Sequence, residues 1–233
     1  YAHVLSCMTE NDCQEPVIGV SFDGTGYGTD GTIWGGEILL ADYQDFTRFG
    51  SITPFLQIGG DASAKEGWRI AVSMIYGFTK DREKAWEIIE KLGLCSEQES
   101  KVQFTMADRK INAVMSTSAG RLFDAVSAIL GIRRQSSFEG EASTALQFAA
   151  EAFEQKQTSD LSERHVQPVI LGLEGRCILN TEALVQQIVE AKLQGTDSGA
   201  LAYLFHRMLA EQIVAACKAA REHSGRAKVA LSG

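Results

Sequence analysis

The stretch DGTGYGTDGTIWGGE, residues 23 to 37, contains six glycines in fifteen residues and lies between two apolar runs, VIGVSF and ILLADY. Glycine loses more backbone freedom on folding than any other residue, so this density predicts backbone shapes that a Cβ atom would block. The flanking runs are β-prone and bounded by glycine. The stretch therefore predicts two strands joined by a glycine turn, with Asp23 at the end of the first strand.

A GxGxxG pattern occurs inside the stretch, at Gly26, Gly28 and Gly31. A dinucleotide-binding loop of that pattern opens a helix, whereas the residues after this one are β-prone. Strand, glycine turn and strand instead resembles the phosphate loop of the actin and sugar-kinase superfold. In that superfold backbone N–H groups approach nucleotide phosphates, and an aspartate reaches a metal or the reacting group. The alternative is a glycine-rich hairpin in which Asp23 is an ordinary turn residue.

Composition excludes several classes of protein. The chain has 233 residues, 45% of them hydrophobic and 22% charged, which is typical of a soluble globular protein. It contains no apolar run of the roughly 18 residues that a membrane span needs, and its first residues do not form a signal peptide. The net charge of −8 argues against nucleic acid as a partner. Five scattered cysteines without a CxxC pair predict reduced thiols and a cytoplasmic location.

Two regions differ in their sequence patterns. Residues 1–60 are predicted to be a β-rich first subdomain that carries the phosphate loop. Residues 61–233 are predicted to be mainly helical and to include the start of a second subdomain, with a surface loop over residues 155–165. Within them Asp81 is predicted to cap a helix that ends near Gly93, and Asn180 or Thr181 to cap a later one. The terminal KVALSG is predicted to form a short buried strand. Because no initiator methionine is present and the chain stops directly after a strand, we expect it to be a fragment of a larger multidomain protein.

Five motifs together resemble one family. YAHVLSCMTEN, SFDGTGYGTDGTIWGGE, IGGDASAKEGWR, STSAGRLFDAVSAILGI and SFEGEAS follow one another within residues 1 to 145. In this order they closely resemble the C-terminal part of the hydrogenase-maturation carbamoyltransferases, the HypF family. The resemblance implies an α/β fold, mixed α+β in detail, of the actin and sugar-kinase-like superfold. It would have a β-hairpin sheet with the glycine phosphate loop and a helical insertion, and be incomplete at both ends.

The resemblance also implies a reaction. An upstream domain makes carbamoyl-adenylate from carbamoyl phosphate and ATP, and the region represented here binds that adenylate beside a divalent metal, zinc or iron. The carbamoyl group then passes to the C-terminal cysteine thiolate of a HypE-like maturation partner, on the way to the cyanide ligands of [NiFe]-hydrogenase. We assign no catalytic side chain, because an activated adenylate and a thiolate need mainly positioning and charge stabilisation.

Two residues match metal ligands of the family. His3 corresponds to the last histidine of its H-H-x-A-H motif, and Asp23 to the aspartate that follows its first strand. The other family ligands would lie before Tyr1 and after Gly233. With at most two ligands of the set, the chain by itself is predicted to bind metal weakly or not at all. The alternative for His3 is a frayed terminal residue.

The nucleotide-binding candidates come from the same motifs. Gly24, Thr25 and Gly26 are expected to cradle the adenylate phosphate through their peptide N–H groups. Gly120 is expected where backbone approaches the ligand, and Asp124 is expected to accept hydrogen bonds from both ribose hydroxyls. The alternative for Asp124 is a carboxylate that favours the positive end of a helix dipole.

Two further motifs contribute candidate contacts. Glu139 and Gly140 match an E-G pair near the purine or ribose, and the alternative for Glu139 is a first-turn carboxylate of the helix that begins there. Gly59, Gly60 and Asp61 match a G-G-D motif that either contacts the ligand or forms a tight turn with an N-cap. This sequence reads IGGD and EGW where the family commonly has PGGD and EPW.

Other functions stay open at this point. The tRNA threonylcarbamoyl-transferases and the antibiotic O-carbamoyltransferases share the superfold, although the acidic composition and the DGTGYG sequence argue against the former. A non-catalytic docking module that keeps the nucleotide fold without a complete site is the alternative of another class. Adenylate-forming, zinc-ribbon and acylphosphatase-like segments upstream would favour the carbamoyltransferase.

Overall fold

The two apolar runs that flank the glycine stretch form neighbouring antiparallel strands of the sheet. The structure, a computed structural model, describes residues 1–155, 168–172 and 175–233, so the predicted loop over residues 155–165 lies almost entirely outside the described residues. The described strands are β1 Val17–Tyr27, β2 Ile33–Ala41, β3 Phe46–Ile52, β4 Phe55–Ile58, β5 Ala113–Ser116, β6 Val169–Leu171, β7 Cys177–Leu179 and β8 Lys228–Ser232.

These strands form one mixed sheet. Strands β4, β5, β2, β3, β7 and β6 lie side by side in that order, while β1 pairs with β2 and with β8. The β1–β2, β2–β3, β4–β5 and β6–β7 pairs are antiparallel, and the β1–β8, β2–β5 and β3–β7 pairs are parallel. Mixed pairing of this kind, with helices packed on the sheet, makes the chain a mixed α/β domain.

Helices cover both faces of the sheet. They are α1 Ala2–Glu10, α2 Gly67–Thr79, α3 Arg82–Leu92, α4 Glu97–Arg109, α5 Ala119–Ile129, α6 Glu141–Glu154, α7 Thr181–Leu193 and α8 Ser198–Ser224, with one 3₁₀ turn, η1, at Gly60–Ala64. Among the described residues, none of these helices is long and apolar enough to span a bilayer.

Alternation of side chains along β1 and β2 explains the two-sided core. Ile18 and Val20 face the large cluster formed with the helices α2 to α8, whereas Val17 faces a smaller cluster under α1. Successive strand side chains point to opposite faces, so an uninterrupted apolar run is what a sheet covered on both faces requires. The helix α1 closes the second face through Val4 and Met8, one turn apart and both buried.

A glycine sets how closely α1 approaches the sheet. A Cβ atom on Gly19 of β1 would lie 2.5 Å from Cγ2 of Val4, well inside van der Waals contact. The bare backbone at this position therefore lets the helix lie directly on β1. Val4 is completely buried in this contact.

Several predicted features are confirmed. Asp81 caps α3 by accepting from the N–H groups of Glu83 and Lys84, and Gly93 ends that helix in a left-handed conformation. Asn180 caps α7 in the same way. In each case the side-chain oxygen or the glycine satisfies backbone groups that the helix ends leave free.

Residues 2–10 form the helix α1 inside the region predicted to be β-rich, because Val4 and Met8 share one helix face. Two predictions are wrong in detail. The terminal strand β8 forms as expected, but only Ala230 of its residues is buried, since one edge and much of one face are open. The residues Gly24 to Gly26 are not in the hairpin turn, which is formed by Gly28 to Thr32.

Candidate functional site

Two of the predicted phosphate-loop residues, Gly24 and Thr25, lie in a bulge of strand β1, and Gly26 follows it in the ladder. Phe22 pairs with Gly36 and Gly26 pairs with Trp34, so three residues of β1 stand opposite one residue of β2. A bulge leaves its extra residues out of the regular ladder and bends the strand locally. Asp23, Gly24 and Thr25 are therefore held beside the sheet rather than within its hydrogen-bond pattern.

The start of helix α5 holds this bulge in place. Ser118, the N-cap of α5, donates from Oγ to the carbonyl oxygen of Gly24 over 2.6 Å and accepts from the N–H of Arg121 over 3.1 Å. A trans peptide unit points its C=O and N–H in opposite directions. The N–H of Thr25, in the same peptide unit as the Gly24 carbonyl, therefore points away from Ser118.

Glycines make the close approach sterically feasible. A Cβ atom on Gly120 would lie 2.8 Å from Cα of Gly24, and one on Gly35 would lie 2.5 Å from the carbonyl oxygen of Asp23. Gly120 was expected to approach a ligand; the structure shows that its missing side chain makes room for the bulge. A Cβ on Gly24, in contrast, would meet nothing within 4 Å, so that side of the bulge is open.

Substitution of Gly120 tests this packing directly. We expect Gly120→Ala to lower the free energy of unfolding by about 1–3 kcal/mol, the usual cost of inserting a methyl group where backbone already fills the space. Thermal unfolding followed by circular dichroism measures the loss. Gly77→Ala is the matched control, because a Cβ on Gly77 of α2 also meets nothing within 4 Å and alanine is the better helix former. Equal melting of both variants would contradict the close contact.

The two predicted metal ligands come together. Nε2 of His3 lies 3.1 Å from Oδ2 of Asp23, and both side chains are partly exposed. Oδ1 of the same carboxylate accepts from the N–H of Gly24 over 2.5 Å. The helix α1 and the bulge of β1 thus present one imidazole and one carboxylate at the same place.

This pair fits a metal in donor type but not in number. Imidazole nitrogen and carboxylate oxygen are both ligands of zinc and iron, yet a zinc site commonly takes at least three protein ligands. Within residues 1–155, 168–172 and 175–233, no three His, Cys, Asp or Glu side chains group as a ligand set. The described residues therefore supply a partial ligand set, and we derive no chemical step through a metal.

Asp124 is buried beside Arg121 on the second turn of α5. Its residue exposure is 5%, and burial raises the pKa of its carboxyl group, although the nearby Arg121 guanidinium lowers it in part. Nε of Arg121 lies 2.7 Å from Oδ2 of Asp124, but the two atoms are not aligned for a hydrogen bond. Among the described residues, that buried oxygen has no hydrogen-bond donor, which leaves it the capacity to accept from a ligand hydroxyl.

The N-terminus of α2 packs against the same aspartate. A Cβ atom on Gly67 would lie 2.6 Å from the carbonyl oxygen of Asp124. Residue 67 is the position at which this sequence has glycine rather than the common proline. The bare glycine lets α2 approach α5 at Asp124 more closely than a residue with a Cβ would allow.

The G-G-D motif forms a tight turn. Gly59 and Gly60 have φ angles of 110° and 55°, values that favour glycine, and Gly59 rather than Asp61 is the N-cap of η1. The motif thus forms the tight turn with an N-cap that was one of its two expected roles, and Gly59 is the cap residue. Strand β4 ends at Ile58 opposite Ala113, three residues before Ser116, so this turn lies about 10 Å along β5 from Ser116.

The E-G pair precedes helix α6. Gly140 is its N-cap with a φ of 78°, and the helix begins at Glu141, so Glu139 lies before the first turn rather than in it. Glu141 supplies the first-turn carboxylate, accepting from the N–H of Ser137 over 2.6 Å. The structure brings Glu139 and Gly140 to a helix start but does not test their predicted contact with the purine or ribose.

One set of polar side chains next to the bulge was not predicted from the sequence. Glu37, Arg48 and Thr117 contact one another, and Glu37 is 3% exposed. Glu37 ends the quoted glycine stretch and Thr117 precedes the cap Ser118, so both lie within motifs that carry the family resemblance. A charged residue inside the apolar run of one strand is the signal that would have identified Glu37.

A cavity lies away from the predicted site residues. It measures about 520 Å³ and is lined mainly by apolar side chains of β4, α2 and α7, with Met115 and Val185 among them. None of the predicted site residues lines it.

Comparison with known proteins gives a consistent result. The sequence family described as "Carbamoyltransferase, Kae1-like Domain, second subdomain" matches residues 19–233. A carbamoyltransferase HypF homolog of Cupriavidus necator is 34% identical over all of this chain and 58% of its own length. A probable carbamoyltransferase HypF of Methanocaldococcus jannaschii is 30% identical over all of this chain and 29% of its own length.

Solved structures agree with the sequence comparisons. A crystal structure of full-length HypF in the phosphate- and nucleotide-bound form superposes with a TM-score of 0.86 at 31% identity, covering all of this chain and 29% of that one. The structure of HypF from T. kodakarensis gives a TM-score of 0.83 at 29% identity, over all of this chain and 30% of that one. The chain thus spans only part of the length of each of these relatives.

Proposed function

Since the chain belongs to the HypF carbamoyltransferase family, we propose that it binds carbamoyl-adenylate and directs the carbamoyl group to the C-terminal cysteine of a hydrogenase-maturation partner. The sulfur of the partner thiolate attacks the carbamoyl carbon and forms an S–C bond. The bond from that carbon to the phosphate oxygen breaks, and AMP leaves with the electron pair. The upstream supply of carbamoyl-adenylate from carbamoyl phosphate and ATP, the cytoplasmic location and the actin and sugar-kinase-like superfold belong to the same proposal.

One observation carries this proposal: the open side of the bulge at Gly24, beside the start of α5. The Ser118 contact orients the Gly24–Thr25 peptide, and no Cβ occupies the space in front of Gly24. Backbone N–H groups in such a bend donate to phosphate oxygens, and the N-terminus of a helix adds a favourable dipole. These features support our assignment of the adenylate phosphate to Gly24, Thr25 and Gly26, with the N–H of Thr25 as the donor, since the N–H of Gly24 already donates to Oδ1 of Asp23.

The sugar is assigned to Asp124. Its buried Oδ2 accepts a ribose hydroxyl once Arg121 rotates away, and a carboxylate has room for two donors. Glu139 and Gly140 are proposed to lie near the purine or ribose, and Gly59, Gly60 and Asp61 form a second, more distant contact. His3 and Asp23 would hold zinc or iron together with ligands from outside this chain, and that ion would stabilise negative charge on the adenylate.

The nucleophile is assigned to the partner rather than to this chain. Burial raises the pKa of Cys95 to about 11, and burial also raises the pKa of Cys177 and Cys217. A thiol with a raised pKa is a poor source of thiolate at neutral pH. These three cysteines are therefore unsuited to accept the carbamoyl group.

The function is tested by the product. The full protein, supplied with ATP, carbamoyl phosphate and the partner protein, is expected to add one carbamoyl group to the C-terminal cysteine of the partner, as read by mass spectrometry of the tryptic peptide. A partner with that cysteine replaced by serine is the control. Carbamoyl-adenylate that forms but is never passed to the partner would contradict the proposal for this domain.

Gly24→Ala tests the phosphate position itself. The added methyl group meets no protein atom within 4 Å, so we expect an unchanged melting temperature. It projects into the space assigned to the phosphate, and we expect AMP affinity to fall at least 10-fold, the effect of about 1.4 kcal/mol. Isothermal titration with AMP measures this, and Gly77→Ala again serves as the control. Unchanged AMP affinity would place the phosphate elsewhere.

A further inference from the structure

A polar cluster that is buried at Glu37 and exposed at Asp30 lies next to the bulge of β1. We define the Glu37 cluster as the side chains of Asp30, Trp34, Glu37, Arg48 and Thr117. Its members come from the hairpin turn, from β2 and β3, and from the segment before α5. Charged side chains are rarely buried unless they are paired, and Glu37 is paired with Arg48.

Glu37 occupies the centre of the cluster. Its Oε2 accepts from Nε of Arg48 over 2.7 Å, and the side chains of the pair are 4% and 12% exposed. Its Oε1 accepts a short hydrogen bond from Oγ1 of Thr117 and a longer one, 3.3 Å, from the N–H of Gly35. One carboxylate thus contacts β2, β3 and the residue before the cap of α5.

Arg48 extends the cluster to the hairpin turn. Its terminal nitrogens donate to Oγ1 of Thr117 over 3.2 Å and to Oδ2 of Asp30 over 3.1 Å, and its guanidinium lies 4.1 Å from the centre of the Trp34 ring. Nε1 of Trp34 donates in turn to Oδ1 of Asp30 over 3.0 Å. The planar guanidinium therefore uses all three of its nitrogens and one face.

Thr117 connects the cluster to the proposed phosphate site. Its hydroxyl is held by Glu37 and Arg48, and its N–H donates to the carbonyl oxygen of Ile33 over 2.8 Å. The next residue is Ser118, whose hydroxyl fixes the Gly24 carbonyl. A second connection runs through Gly35, whose N–H contacts Glu37 and whose Cα approaches the carbonyl oxygen of Asp23.

Stability alone is a weak reason for such a cluster. A buried ion pair contributes little compared with apolar side chains of similar volume, because both charges lose their hydration. In an apolar cluster, however, the hydroxyl of Thr117 would keep only the carbonyl oxygen of Ile33, at 3.3 Å, as an acceptor. What the ion pair adds is orientation, since a carboxylate acceptor and a guanidinium donor hold one hydroxyl from both sides.

We propose that Thr117, clamped by Glu37 and Arg48, is a positioning residue for carbamoyl transfer: it fixes Ser118 and so aims the Gly24–Thr25 peptide at the adenylate. This inference rests on the proposed function. A displacement of the order of 1 Å in a group that stabilises the transition state costs up to about 100-fold in rate. The cluster acts through Ser118 and touches no part of the ligand.

Three variants in the full protein separate positioning from stability. Thr117→Val keeps the shape but removes the hydroxyl, and we expect kcat of carbamoyl transfer to fall about 10-fold or more while KM for the partner stays within about 2-fold. Thr117→Ser keeps the hydroxyl and is expected to retain near wild-type kcat. Thr105→Val on exposed helix α4 is the matched control and is expected to change nothing.

A second readout does not depend on the reaction. Amide hydrogen exchange, followed by mass spectrometry, is expected to speed up at residues 23–26 and 118–121 in Thr117→Val but not in Thr117→Ser or Thr105→Val. Faster exchange there supports the clamp even if the wild-type protein transfers no carbamoyl group, in which case only the proposed function fails. Unchanged exchange at residues 23–26 overturns the inference, as does a normal kcat in a Thr117→Val protein that merely melts earlier.

Discussion

Replacement of Asp23 by asparagine is expected to lower carbamoyl transfer by the full protein about 100-fold or more. Loss of a residue that only supports a metal ligand already costs about 10- to 100-fold in affinity or activity, and Asp23 is proposed to be a ligand itself. The substitution removes the negative charge that faces Nε2 of His3 at 3.1 Å, while an amide oxygen still accepts from the N–H of Gly24. The site is partly exposed, so the melting temperature is expected to stay unchanged.

Asp45→Asn is the matched control for Asp23. Asp45 is exposed, and its Oδ1 likewise accepts from the N–H of the next residue, Phe46, over 2.7 Å. A general effect of removing an exposed carboxylate would affect both variants equally. Zinc titration of the two full-length variants gives a readout besides activity: the Asp23 variant is expected to lose affinity and the Asp45 variant to keep it. Equal zinc affinity and full activity in Asp23→Asn would rule out the assigned role.

Replacement of Asp124 by asparagine has the second large expected effect, a loss of about 100-fold in AMP affinity. Hydrogen bonds to a charged acceptor are worth about 1.5–3 kcal/mol each, and the proposal gives this carboxylate two ribose hydroxyls. An amide retains only one acceptor oxygen. Isothermal titration with AMP measures the loss, and AMP lacking the ribose hydroxyls is expected to bind wild type and variant equally.

The stability of the Asp124→Asn variant follows from the burial that raises the pKa of the Asp124 carboxyl group. A carboxyl group whose pKa is raised on folding destabilises the native state while ionised, and this penalty disappears as the pH falls through the raised pKa. A neutral amide removes the penalty at neutral pH, so Asp124→Asn is expected to melt no lower than the wild type. Asp108→Asn, at the surface ion pair with Arg82, is the control for AMP affinity.

The strands and capped helices followed from local sequence because their causes are local. VIGVSF and ILLADY are apolar on both faces, and Asp81 and Gly93 carry their capping chemistry in their own side chains or backbone. The helix α1 was missed as an element because its burial depends on a partner, Gly19, fifteen residues after Val4. Strand β8 was predicted, but its exposure depends on where β1 lies in the sheet.

The candidate site, too, was predicted from the sequence only in part. Asp23 and His3 were paired through motif resemblance, and the structure brings them to 3.1 Å. The bulge was mistaken for the turn because glycine density alone does not reveal which glycines are opposite which residues of β2. The burial of Glu37 could have been predicted from its place in an apolar run, but its contact with Thr117 could not, since it joins residues 80 positions apart.

The contact between Gly19 and Val4 has a consequence for the distance between His3 and Asp23. A single methyl group at residue 19 would push the neighbouring helix outward, and the imidazole next to Val4 would move with it. The distance between the His3 imidazole and the Asp23 carboxylate therefore depends on the absence of a side chain at buried residue 19. A substitution at residue 19 would change this distance while every residue that is proposed to face the ligand stays the same.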